Sequence, residues 1–189
     1  MKGRLCLVVA AEVEYRAAAN VLKRLPQHDV VLIKSGIGAV GFESVFADRL
    51  ASADIGRVIM TGLCGALSED LRKGDIVLYD RCRNLTDEIE LDRELSAKLA
   101  STFTPVRGTG LTVTRVVAEA SEKKRLRAEY GALAVDMETF IVASACKEQG
   151  VPVAALRVVS DEADEDLPDF NRALSDHGEM IARRVPGVL

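Results

Sequence analysis

Residues 132–161 read "ALAVDMETFIVASACKEQGVPVAALRVVSD", and this stretch decides the architecture. Its first six residues, Ala132 to Met137, are apolar apart from one acid and predict a strand. From Glu138 the period changes, and Ile141, Val142 and Ala145 share one face of a predicted helix. Gly150-Val151-Pro152 ends that helix, and the run to Ser160 is again apolar, interrupted only by Arg157. A strand–helix–strand unit of this kind is expected to set two parallel strands in one sheet. Strands apolar nearly throughout are covered on both faces, which predicts an α/β layered sheet.

The same alternation runs outward from this unit. Further strands are expected in "RLCLVVAA", "DVVLIK", "RVIMTG" and "GDIVLYD", the last fed by a turn at Gly74. Helices are expected after Glu12, Ala39, Leu91, Glu119 and Glu138, with a last one from about Pro168 to Val185. At 189 residues, with no repeat and no obvious linker, the chain reads as a single domain, residues 1–189. A hydrophobic content of 48% supplies a sizeable core.

Composition narrows the function classes. The net charge is −4 with no long basic run, which argues against nucleic acid as the partner. Cys6, Cys64, Cys82 and Cys146 lack any C-x-x-C spacing, and His28 and His177 are the two histidines. No zinc framework is therefore read and no metal is expected. A reduced, cytoplasmic chain is the simplest reading. The start, "MKGRLCLVVAAEVEYR", resembles a signal peptide only briefly, because Glu12 and Glu14 follow the short apolar run at once. No apolar run approaches the ~18 residues of a membrane span.

In sheets of this class, ligands bind where strands end and the next segment begins. Glu12 and Glu14 follow the first strand, where acids also suit a helix start. Gly36, Gly38 and Gly41 spell G-x-G-x-x-G after the second strand. That is formally a dinucleotide fingerprint, but it stands on the wrong strand and no acid ends the next strand to hold a ribose. Gly62 and Gly65 predict a tight, open loop after "VIMTG". Glu138 and Asp161 are both expected at carboxyl ends of strands, on one edge of the sheet, near Arg157 and Ser160.

Taken together, these segments resemble the purine/uridine phosphorylase and nucleosidase superfamily. The pieces stand in the family's order: an acid after the first strand, "SGIG", "TGLCGALSEDLRKGDIVL", "VDME" and "VPVAALRVVSDEAD". The likeness spans nearly the whole chain. Within the superfamily it is nearest to methylthioadenosine/adenosylhomocysteine nucleosidases and, through "RVVAEASEKKRLRAEYGALAVDMET", to hopanoid-associated phosphorylases. The resemblance implies a three-layer α/β/α fold around a central mixed, partly closed sheet. It also implies cleavage of the N-glycosidic bond of a small-molecule purine nucleoside, an adenine nucleoside with a modified 5′ end, by a homodimer or higher homo-oligomer.

The resemblance further assigns roles by position. Asp161 matches the acid that protonates the purine at N7, for which partial burial beside apolar strands would raise its pKa. Ser160 would orient it. Glu138 matches the glutamate that clamps the ribose hydroxyls, with Met137 packing under the sugar. Glu14, rather than Glu12, matches the acid that activates water. Val116 and Val117 are candidates for cradling the base, Gly36 and Gly62 for close backbone approach, and Arg157 for holding a carboxylate or touching the ligand.

No cofactor is expected, with inorganic phosphate as an alternative co-substrate. Related phosphorylases hold phosphate with an arginine and a serine where this chain has Met60 and Leu63. Neither side chain supplies a charge-assisted donor, so hydrolysis is favoured over phosphorolysis. A non-catalytic nucleoside-binding protein is the rival from another class; the set of Glu14, Glu138 and Asp161 argues against it.

Overall fold

The structure, a computed structural model, describes residues 3–24, 29–39 and 41–168. The helix expected beyond Pro168, and both histidines, lie outside the described residues. The elements run β1 (Arg4–Val9), α1 (Glu12–Leu22), β2 (Val30–Lys34), α2 (Phe42–Ser52), β3 (Ile55–Ala66), β4 (Ile76–Arg83) and β5 (Glu88–Glu90). They continue as α3 (Arg93–Phe103), β6 (Val106–Thr112), α4 (Ala120–Tyr130), β7 (Ala134–Asp136), α5 (Thr139–Glu148) and β8 (Val153–Asp161).

Local chemistry sets several boundaries. Asp92 caps α3, its carboxylate accepting from the Leu95 amide at 2.8 Å. Gly131 closes α4 with φ 66°, a conformation that costs glycine little. The five helices expected within the described region form as read.

The sheet is mixed and partly closed. β1 pairs in parallel with β2 on one side and β3 on the other. A ring then closes through β3, β7, β6, β4 and β8, because β8 pairs with β3 in parallel and with β4 antiparallel. β7 runs antiparallel to β3 and parallel to β6. Helices flank this sheet, α5 packing over β8, β4, β6 and β3.

Two expectations are corrected here. Residues 62–66 are not a loop but the second half of a twelve-residue β3, its edges taken up by β7 and β8. Nor are β7 and β8 paired parallel neighbours. β7 is three residues long and pairs antiparallel to the far end of β3, whereas β8 runs parallel to β3 along most of its length. Glu138 and Asp161 still converge, since Gly65 stands opposite both Val135 and Asp161.

β6 gave no strand signal because Arg107, Gly108 and Gly110 break its apolar pattern. The glycines answer to packing: a Cβ on Gly110 would lie 1.9 Å from Cε2 of the buried Tyr79 ring. The main core lies between the sheet and α2 and α5, where Phe42 and the fully buried Phe46 stack with centroids 4.7 Å apart. Burying such a side chain contributes about 1.5–3 kcal/mol. A smaller cluster of Leu67, Leu111, Val117, Leu126, Ala132 and Val135 sits under α4. The four cysteines are buried free thiols. Among the described residues no helix is long and apolar enough to cross a membrane.

Candidate active site

A cavity of about 420 Å³ opens where β1, β3, β7 and β8 end. Glu14, Met137, Glu138, Ser160 and Asp161 all line it, as do Val116 and Val117. Its size suits one small ligand.

Glu14 lies in the first turn of α1, yet its carboxylate does more than complement a helix end. Oε2 accepts from the amides of Ala10 and Ala11 at 2.9 and 2.8 Å, and Oε1 accepts from the Leu63 amide at 2.8 Å. Three main-chain donors thus hold one carboxylate at the pocket wall. Glu12 instead turns to the surface and pairs with Arg16 and Lys34 at 2.9 and 2.7 Å. Gly62, with φ 127°, does not line the cavity; it makes room beneath Glu14.

Glu138 is the N-cap residue of α5 and is only 4% exposed. Its Oε1 accepts from the Gly38 amide at 2.9 Å and its Oε2 from Arg157 at 3.0 Å. Gly36 is therefore not a wall of the cavity; the neighbouring Ile37 lines it, and Gly38 acts through its N–H.

Arg157 is fully buried beneath the cavity and is a structural partner of the acids. It donates to Asp136 at 3.1 Å, to Glu138 at 3.0 Å and to the Thr61 carbonyl at 3.1 Å. Asp136 also accepts from Thr112 Oγ1 at 2.8 Å, from the Thr139 amide at 3.1 Å and from the Thr139 hydroxyl. The two carboxylates divide one guanidinium unequally. Burial pushes the Asp136 carboxyl up, but Arg157 and the hydroxyls of Thr139 and Thr112 outweigh it and hold the group below its ordinary range. At Glu138 burial outweighs Arg157, and the Asp136 charge adds to it, so this carboxyl lies above its ordinary range.

Asp161 ends β8 at 7% exposure. The Ser160 hydroxyl lies 2.5 Å from its Oδ1 and 3.1 Å from the Cys64 carbonyl. The surroundings expected for Asp161 were apolar strands; the structure adds a cation. Lys123 of α4 is fully buried with Nζ 2.7 Å from Asp161 Oδ2. Nothing in the chain's pattern signals this cation, because "SEKKRLR" has the composition of a solvated helix face. Burial pushes the Cys64 thiol, also on the cavity wall, up to about 12, so it is not a thiolate nucleophile.

Met60 is buried in the core, while Leu63 is 49% exposed and lines the cavity. Arg115 lines it too, paired with Glu122 at 2.6 Å. Among the described residues, no three His, Cys, Asp or Glu side chains are grouped to hold a metal ion.

Known proteins resemble this chain in sequence and in fold. A family model described as the phosphorylase superfamily matches residues 9–185. A 5′-methylthioadenosine/S-adenosylhomocysteine nucleosidase of Bacillus cytotoxicus is 28% identical over 178 residues, covering 81% of this chain and 77% of its own. The nucleosidase of the same description from Mycobacterium tuberculosis is 29% identical over 208 residues, covering 85% and 80%. In fold, the chain is similar to the Streptococcus pneumoniae MTA/SAH nucleosidase solved with 8-aminoadenine, with TM-score 0.77, 22% identity and coverage of 85% and 87%. It is also similar to the futalosine hydrolase of Helicobacter pylori, with TM-score 0.74, 21% identity and coverage of 86% of each chain.

Proposed function

The chain belongs to the phosphorylase superfamily, and on that premise we propose that it hydrolyses the N-glycosidic bond of an adenine nucleoside carrying a modified 5′ end. The observation that carries this reading is the position of Glu14, whose carboxylate is held by three backbone amides on the wall shared with Glu138 and Asp161. Breaking a ribosyl C–N bond puts positive charge on the sugar and negative charge on the base. It needs an acid at the base, a fixed sugar and a placed nucleophile.

Asp161 gives its proton to purine N7 as the bond's electron pair moves onto the base. Ser160 orients its carboxyl. Glu138 accepts hydrogen bonds from the ribose hydroxyls; each of its oxygens has one protein donor and a further lone pair. Its charge also offsets the positive charge that builds on the sugar. Met137 packs under the sugar, and Val116 and Val117 border the base. Glu14 takes a proton from the attacking water, whose oxygen bonds to C1′.

Water is favoured over phosphate by the same carboxylate. The Leu63, Ala10 and Ala11 amides that could bind an oxyanion are already satisfied by Glu14, and a second anion beside it would be repelled. The alternative, phosphorolysis, would draw on Arg115, a cation on the cavity wall. Adenine release from adenosine, methylthioadenosine, adenosylhomocysteine, futalosine and an adenosylhopane mimic, measured without phosphate, decides between them. Release without phosphate upholds hydrolysis, and release only with phosphate overturns it. The homo-oligomeric state has support from Val13, beside Glu14 and 69% exposed, and from Leu63; light scattering tests it.

A further inference from the structure

We propose that Lys123 is a positioning residue for departure of the purine: it is the cation that faces Asp161 when that acid becomes an anion. The inference rests on the assignment of Asp161 as the acid. Lys123 and Leu126 are the buried side chains of α4, a helix whose other residues are mostly charged. Burying an ammonium is expensive unless every N–H finds an acceptor. Here all three do: Asp161 Oδ2 at 2.7 Å, the Glu162 carbonyl at 2.7 Å and the Glu165 carbonyl at 2.9 Å.

Two features separate this lysine from a mere strut. It does not line the cavity, and the cavity residue that it contacts directly is Asp161. Tying down residues 162–165 would need only neutral donors, whereas the third contact sets a full positive charge beside the carboxyl group that becomes an anion in the reaction. As the C1′–N9 bond breaks, its electron pair goes to the purine and N7 takes the proton from Asp161. Asp161 is left a carboxylate, and Lys123 neither gains nor loses a proton. Stabilising the carboxylate that forms strengthens the acid at the moment of donation. The Ser160 hydroxyl on Oδ1 acts in the same sense.

Other charged groups around Asp161 do not replace Lys123. Lys73, from the turn before β4, is paired with Glu165 at 2.8 Å. Glu162 and Glu165 follow Asp161 on the chain, and Cys64 faces it from β3. Glu14, Glu138 and Arg115 stand on the other cavity walls.

The test is kcat against pH on the best nucleoside substrate, for the native chain, Lys123→Met, Lys123→Arg and Asp161→Asn. In Lys123→Met the plateau is expected to fall about tenfold or more, with KM little changed. The alkaline limb should move to higher pH, because the carboxylate formed on donation no longer faces a cation. Lys123→Arg should keep the native limb. If Lys123→Met does not fold, Lys123→Gln is read the same way. A limb that stays at the native position in the neutral variant overturns the proposal, whatever the loss of activity, since a purely structural lysine gives that result. Full turnover in Asp161→Asn overturns the assignment of the acid, and this inference with it. An inactive Asp161→Asn with an unmoved Lys123→Met limb overturns the role of Lys123 alone.

Discussion

Glu14 occupies the space that a side chain on Gly62 would need: a Cβ there would lie 2.5 Å from Glu14 Oε1. Gly62 also has φ 127°, where residues with a Cβ are strained. Gly62→Ala is therefore expected to push the carboxylate off the Leu63 amide and lower kcat about a hundredfold. KM should change less. Because both changes act through one carboxylate, Gly62→Ala added to Glu14→Gln should cost little further activity. A four-variant kinetic cycle checks this, and additive losses refute it.

Glu138→Gln removes a charge from the cavity and from Arg157 together. KM for the nucleoside should rise about tenfold or more as the ribose loses a charged acceptor. Unlike an exposed acid at a helix start, this residue also supports the fold, so the variant should lose about 1–3 kcal/mol of stability. Steady-state kinetics and urea unfolding measure the two effects separately.

Asp136 and Glu138 should affect stability in opposite pH windows. The Asp136 carboxyl is held below its ordinary 3.8, so its contribution is present above pH 3.8 and is lost as pH falls through the lower folded value. The Glu138 carboxyl is held above its ordinary 4.5, so its contribution is full below pH 4.5 and is lost as pH rises through the raised folded value. The native chain's stability advantage over Glu138→Gln should shrink as pH rises above 4.5. The deficit of Asp136→Asn should shrink as pH falls below 3.8. Urea midpoints from about pH 3 to 7 test both, and pH-independent differences refute them.

Gly110→Ala probes the ring closure away from the chemistry. The added methyl meets the Tyr79 ring at 1.9 Å, and a buried ring has nowhere to retreat. A loss of about 1–3 kcal/mol is expected, with kcat and KM of the folded protein unchanged because Tyr79 is not on the cavity wall. Urea unfolding beside kinetics on the soluble fraction checks it.

Much of the site was legible because its acids interrupt apolar runs. Glu138 and Asp161 stand at strand ends where a solvated surface is not expected, and their spacing around one helix implied convergence. What the pattern missed depends on tertiary contact. Lys123 looks like its neighbours Lys124 and Arg125 until residues 162–165 fold across it. Arg157 was ambiguous because only the folded chain shows it shared between Asp136 and Glu138. β6 was invisible since two of its residues are glycines chosen for the Tyr79 and Leu133 side chains over them. The orientation of β7 relative to β8 followed from the length of β3, which glycine at 62 and 65 disguised as a loop.

The second half of β3 has a consequence for how sequences of this kind can drift. The Thr61 carbonyl holds Arg157 and the Leu63 amide holds Glu14, and the Cys64 carbonyl lies 3.1 Å from Ser160 Oγ, all through main-chain atoms. Gly62 and Gly65 contribute by having no side chain, the one under Glu14 and the other against Asp161. A template written in backbone is indifferent to the letters at 61, 63 and 64. Substitutions there, at Leu63 above all, can reshape the cavity wall while Glu14, Ser160 and Arg157 stay in register; a side chain at Gly62 or Gly65 would instead collide with Glu14 or Asp161.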